Sequence, residues 1–82
     1  MKKGDVMLKG IVIPIEWDEN GCVTAVALST HTEDSYVIER FGKGRDLFEY
    51  LQSEVAVNGV VRRVSGAKHL RVTDFRLTKA WD

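Results

Sequence analysis

The sequence has few of the features that stabilise or anchor small secreted and membrane domains. Its 82 residues include one cysteine and one proline. A single cysteine, Cys22, excludes an intramolecular disulfide and fits a reducing compartment, so we expect the protein in the cytoplasm. No stretch approaches the roughly 18 consecutive apolar residues that cross a bilayer. The first residues, MKKGDVMLKG, also lack the apolar core of a signal peptide. We therefore expect no membrane partner.

Motifs for catalysis and for metal binding are missing as well. The two histidines, His31 and His69, are far apart in the chain, and neither belongs to a metal-ligand spacing. The GKG segment at 42–44 lacks the flanking residues of a phosphate-binding loop. No set of nucleophile, base and orienting group can be assembled from the remaining residues. We expect a binding module that is not an enzyme and that uses no cofactor and no metal.

The charge of the chain is balanced as a whole but unevenly distributed. Twelve lysines and arginines offset twelve aspartates and glutamates, which argues against a protein that coats nucleic acid by bulk electrostatics. Residues 1–41 carry four basic and seven acidic side chains, whereas residues 42–82 carry eight basic and five acidic ones. The second half of the chain is therefore the place to expect a local basic patch.

Alternating apolar residues and turn signals predict five β-strands and one short helix. Asn20-Gly21 is the strongest hairpin signal, and a second tight turn is predicted at Ser65-Gly66. The segment 42–53 instead places apolar residues at i, i+1 and i+4, which predicts a helix of about two to three turns. We expect the strands at residues 8–16, 22–29, 36–41, 54–63 and 68–77.

Three positions in these strands predict irregular geometry. Pro14 lacks an amide hydrogen, so it should lie at a sheet edge or in a bulge. Gly59, in the middle of the fourth strand, indicates a bend or a close approach of another backbone. In the fifth strand Val72 and Phe75 have opposite parity, and a bulge near Thr73-Asp74 would turn both toward the core.

The stretch 55–77, VAVNGVVRRVSGAKHLRVTDFRL, resembles the last two strands of OB-fold domains of the anticodon-binding and replication-protein-A type. In those domains alternating valines and a glycine precede a basic turn and an apolar pair. The predicted order β-β-β-α-β-β is that of the OB-fold, a small five-stranded Greek-key barrel. The resemblance implies one all-β domain over residues 1–82, with tails at 1–6 and 79–82, in which the helix closes one end of the barrel. An SH3-like barrel is the alternative fold, but it leaves the helix unexplained.

OB-folds bind ligands on the second and third strands, between the loops that follow the first and fourth strands. Single-stranded nucleic acid needs aromatic planes for its bases and cations for its phosphates. The resemblance therefore implies that this chain binds single-stranded or structured nucleic acid. The residues expected to bind it are Trp17, Tyr36, Arg40, Arg62, Arg63, Lys68, His69 and Arg71.

Each of these side chains also has a structural interpretation. Trp17 can cover the rim of the barrel, Tyr36 can face the core, and the arginines can protect strand edges from aggregation. Two features weigh against nucleic acid. The second strand contains no aromatic or basic residue, and Trp17 is flanked by Glu16, Asp18 and Glu19. The alternative function is a protein-interaction or self-association module that uses the apolar first strand and the uneven charge.

Overall fold

The structure, a computed structural model, describes residues 5–32 and 34–78. A one-turn helix, α1 (Lys43–Asp46), and a 3₁₀ turn (Leu47–Glu49) follow the third strand. The five strands are β1 (Asp5–Trp17), β2 (Val23–Thr30), β3 (Ser35–Ile38), β4 (Glu54–Val64) and β5 (Ala67–Leu77). This order confirms the predicted β-β-β-α-β-β arrangement and the all-β fold class. Neither helical element among these residues is long and apolar enough to span a membrane.

The strands form a closed barrel in the order β1-β2-β3-β5-β4. Neighbouring strands are antiparallel except for β3 and β5, which run parallel and pair Val37 with His69. The first half of β1 pairs with β4 and the second half pairs with β2, so this strand joins the two sides of the barrel. Its two apolar faces follow from this position. The topology is compatible with an OB-like fold.

The core consists of apolar side chains from all five strands and from the 3₁₀ turn. Leu47, which is completely buried, is the contribution of the helical segment, and Phe48 and Leu51 pack against the same cluster. The other buried members are Val12, Val26, Leu28, Ile38, Val55, Val57, Leu70 and Val72. A short helix that is marginal alone is therefore held in place because it covers the core of the barrel.

Two element boundaries differ from the prediction. β1 begins at Asp5, so the predicted tail at residues 1–6 overlaps the strand, and its first part pairs with β4. The rest of that tail and the predicted tail at 79–82 lie outside the described residues. β3 ends at Ile38 rather than at Phe41. The reason is a turn in which the amide of Phe41 donates to the carbonyl of Glu39 at 2.8 Å.

The three predicted irregularities are confirmed. The register of β1 against β2 shifts between Pro14 and Glu16, which places a bulge directly after the proline. At Gly59 a Cβ atom would lie 2.3 Å from the carbonyl oxygen of Arg71, so β4 and β5 approach each other closely here. The register between these two strands shifts at the same point and leaves Thr73 as the extra residue of β5.

Candidate functional site

The outer face of β2 and β3 is apolar and carries small side chains. Strand pairing aligns Ile13, Ala27, Val37 and His69 in one row across β1, β2, β3 and β5. Ala27 is only 2% exposed, and the other three side chains are half-buried. His69, one of the predicted binding residues, is thus the polar end of an apolar row. The centre of this face is therefore apolar, largely covered and without a cation.

Two arginines, Arg62 of β4 and Arg71 of β5, converge on one carboxylate, that of Glu39. Arg62 donates from Nε and Nη2 to Glu39 Oε2 at 3.2 and 2.9 Å. Arg71 donates from Nε to Glu39 Oε1 at 3.4 Å. The Glu39 side chain is 13% exposed, whereas those of Arg62 and Arg71 are 54% and 49% exposed. We call these three residues the Glu39 cluster.

The Glu39 cluster is electrostatically favourable for an ionised carboxylate. Burial raises the pKa of the Glu39 carboxyl, but hydrogen bonds and charge from Arg62, and then from Arg71, outweigh burial and hold the pKa below its ordinary value. Glu39 is therefore negatively charged at neutral pH. It offsets one of the two arginine charges, and the cluster retains a net positive charge.

Lys68, at the start of β5, is also paired. Its Nζ lies 3.2 Å from Asp34 Oδ1 and 4.8 Å from the ring centroid of Tyr36. Hydrogen bonds from Lys68 and Thr32, and then the charge of Lys68, lower the pKa of the Asp34 carboxyl. Tyr36 packs against the core, which agrees with its structural interpretation. Lys68 and Tyr36 therefore connect the hairpin to the loop after β2 and do not present a free aromatic face.

Two arginines, Arg71 of the Glu39 cluster and Arg40, stack on phenylalanine rings where the chain leaves β3. The guanidinium carbon of Arg71 lies 5.1 Å from the ring centroid of Phe41, and that of Arg40 lies 5.0 Å from the ring centroid of Phe48. Phe41 is 61% exposed, so one aromatic ring beside the Glu39 cluster is accessible. Arg40 lies beyond the end of β3 and not on the strand as predicted.

Glu39 and Phe41 are site residues that the sequence reasoning missed. The available signal was parity, because Val37, Glu39 and Phe41 alternate along the predicted third strand and share its outer face. The prediction instead chose Tyr36 and Arg40, which have the opposite parity. Ile38 lies between Tyr36 and Arg40 and has the same parity, and in the structure it is buried in the core.

Trp17 lies at the end of this outer face that is farther from the tip of the β4–β5 hairpin. It is 56% exposed and pairs with Val23 at the start of β2. Lys68 directly precedes His69 in β5, so it lies level with the pair formed by Tyr36 and Leu28. The five residues between those rows correspond to about 17 Å along the strands. Trp17 and the β4–β5 hairpin thus flank the same outer face from opposite ends.

The acidic side chains near Trp17 are not equivalent. Asp18 Oδ1 accepts hydrogen bonds from the amides of Asn20 and Cys22 at 2.8 and 3.0 Å, which fixes the β1–β2 turn. Glu16 and Glu19 are exposed.

At the opposite end of the face, Arg63 is exposed and makes no ion pair within the described part of the chain.

Comparison of the chain with protein-family models, with curated proteins and with solved structures gave no match. Among residues 5–32 and 34–78, no group of three His, Cys, Asp or Glu side chains is placed to hold a metal ion. The arrangement is best suited to hold an anion beside an aromatic ring, since its accessible groups are guanidinium groups and Phe41.

Proposed function

We propose that this chain is a non-catalytic OB-fold module that binds single-stranded or structured nucleic acid. The observation that carries the proposal is the convergence of Arg62 and Arg71, both half exposed, beside the exposed ring of Phe41. Guanidinium groups bind phosphate through paired N–H donors, and aromatic rings stack on bases. The closed barrel supports the proposal, because OB-folds bind ligands next to this hairpin.

The proposed path of the strand follows from the charges along the outer face. Arg63, Arg62 and Arg71 contact phosphates at the hairpin end, and Phe41 stacks on a base. The apolar row that contains Ala27 and Val37 lies under the next nucleotides. OB-folds bind about 4–16 nucleotides, which suffices to cross this face toward Trp17. The acidic groups around Trp17 keep the phosphate contacts at the hairpin end.

A titration of fluorescently labelled oligonucleotides, DNA and RNA of about 12 nucleotides, tests this proposal. We expect binding at low salt that weakens steeply as salt is added, because cations on the protein replace counterions on the phosphates. Phe41→Ala should weaken binding by about 1–3 kcal/mol, the range for one stacked base. Arg71→Ala should weaken binding and reduce its salt dependence.

Arg76→Ala is the matched control, since Arg76 is an exposed arginine on the same strand, away from the Glu39 cluster. It should leave affinity nearly unchanged. The proposal fails if no oligonucleotide binds at high micromolar protein at low salt. It also fails if Arg76→Ala and Arg71→Ala weaken binding equally.

A second candidate function is assembly with a second copy of the chain. The outer face of β1 exposes Ile11, Ile15 and Trp17 by 40%, 37% and 56%. The exposed Glu16 and Glu19 lie beside this apolar stripe. At the other end of the barrel, the hairpin tip exposes Val64 by 40% beside the exposed cation of Arg63. An apolar, acidic surface on one copy is complementary to an apolar, basic tip on another.

A further inference from the structure

The donors of the Glu39 cluster match a phosphate as well as a carboxylate. Arg62 and Arg71 direct three N–H donors at the two oxygens of Glu39, with distances of 2.9 to 3.4 Å. A phosphate group accepts the same forked hydrogen bonds from guanidinium groups. The carboxylate therefore holds both arginines in an arrangement that suits an oxyanion.

We propose that Arg62 and Arg71 form an oxyanion site for one phosphate of the bound strand, and that Glu39 occupies this site until the phosphate displaces it. This inference rests on the proposed function and deepens it. It assigns Glu39 the role of an internal competitor that weakens binding. A carboxylate and a phosphate do not share the site, because two anions held against the same donors repel each other.

The backbone shows that Glu39 is not required as a structural link. The amide of Glu39 donates to the carbonyl of Leu70 at 2.9 Å, so the main chain already ties the end of β3 to β5. Arg71 is also supported by its stacking on Phe41. The side chain of Glu39 is therefore free to leave the arginines without opening the barrel.

The competitor makes the site selective for ligands with several phosphates. A tethered carboxylate has a high effective concentration, so a single free phosphate displaces it poorly. A strand makes additional contacts at Arg63 and Phe41, and these contacts favour the exchange. We expect oligonucleotides to bind much more tightly than inorganic phosphate or a mononucleotide.

The test compares the unmodified chain with Glu39→Gln and with Glu49→Gln, a matched control that removes an exposed carboxylate of the 3₁₀ turn. Labelled oligothymidylate is titrated at low salt. In parallel, inorganic phosphate is titrated while the arginine Nε–Hε signals are followed by NMR. Glu39→Gln should bind the oligonucleotide about fivefold more tightly, the upper end of the range for a surface ion pair, because the phosphate no longer displaces a carboxylate that is paired with two arginines. Glu49→Gln should leave the affinity close to that of the unmodified chain.

The phosphate titration separates this inference from the proposed function. Phosphate should move the Nε–Hε signals of Arg62 and Arg71 in Glu39→Gln, and move them far less in the unmodified chain. If oligonucleotides bind but Glu39→Gln binds no more tightly than Glu49→Gln, the inference is wrong and the proposed function stands. If no oligonucleotide binds, the proposed function fails, and unmoved Arg62 and Arg71 signals overturn the oxyanion site as well.

Glu39→Asp provides a second variant in case Glu39→Gln does not fold. It keeps the charge but withdraws the carboxylate by one methylene from the arginines. We expect its oligonucleotide affinity to lie between those of the unmodified chain and Glu39→Gln. An affinity equal to or below that of the unmodified chain contradicts the role of Glu39 as a competitor.

Discussion

Glu39 couples the stability of the barrel to pH. Against the effect of burial, Arg62 and Arg71 keep the folded-state pKa of its carboxyl below the ordinary value of 4.5. The folded protein thus binds this proton more weakly than the unfolded chain does. The carboxylate contributes stability above its ordinary pKa, and the contribution is lost as the pH falls through the lower folded-state value.

Urea unfolding of the unmodified chain and Glu39→Gln, at a series of pH values, measures this coupling. The unmodified chain should have the larger free energy of unfolding at neutral pH. The difference between the two should shrink as the pH falls below about 4.5. Protonation then removes the stabilisation by the Glu39 carboxylate, which the variant lacks at every pH. A difference that stays constant down to pH values well below this range contradicts the coupling.

The ion pairs of Glu39 could not be predicted from the sequence, although the cations that form them could. The basic hairpin at 62–71 is visible as a run of cations, and its position in the chain is predictable. Arg62 and Arg71 are 23 and 32 residues from Glu39, and they meet it only because β5 lies between β3 and β4. The pairing of the cations is a product of topology. The sequence alone therefore overstated the free charge of the hairpin.

At the level of elements, the β4–β5 hairpin depends on the missing side chain of Gly59. In Gly59→Ala the new Cβ would lie 2.3 Å from the carbonyl oxygen of Arg71 and 3.2 Å from Leu70 Cδ1. The carbonyl of Arg71 belongs to the backbone and cannot rotate away as a flexible side chain can. The strands β4 and β5 must therefore separate. We expect a loss of about 3 kcal/mol in the free energy of unfolding, the upper range for overpacking.

Gly21→Ala is the control for this substitution. Gly21 has φ of 84° and no atom within 4 Å of an added Cβ, so the change costs only backbone conformation. We expect a loss of about 1 kcal/mol. Urea unfolding measures both variants. A loss in Gly59→Ala no larger than that in Gly21→Ala means that the close approach of the strands is unimportant.

The strands themselves were largely predictable because alternation is a local signal. Val55 and Val57 point to the core, Asn20-Gly21 marks a turn, and the chain folds there as expected. The start of β1 was not predictable, because Asp5 has no local strand signal. It belongs to the strand through pairing with Val60, 55 positions away. The end of β3 is set by a turn after Glu39, which apolar alternation does not show.

For the whole molecule, the main feature is that the exposed acidic groups of the β1–β2 turn and the exposed cations of the hairpin tip lie at opposite ends of the outer face. The β1–β2 turn carries exposed acidic groups, and the hairpin tip carries Val64 and exposed cations. If a second copy docks, the contact joins two different surfaces and is head-to-tail rather than symmetric. Such contacts extend into chains of molecules unless the geometry closes a ring.

Sedimentation velocity at several protein and salt concentrations tests this assembly. We expect a mass above that of the monomer at low salt, with a return to the monomer as salt screens the charges. Val64→Asp should abolish association, because it places a carboxylate where apolar contact is needed. Met7→Asp is the control, since Met7 is an exposed apolar residue on the first half of β1. A monomer under every condition rules out self-association.

The place of β5 in the barrel has a consequence for protein synthesis. β5 is the last of the five strands along the chain, yet it lies between β3 and β4. A nascent chain that has left the ribosome only through β4 has two open strand edges. It also lacks Arg71, the second partner of Glu39. Closure of the barrel and completion of the Glu39 cluster therefore take place in the same step, when the final strand emerges.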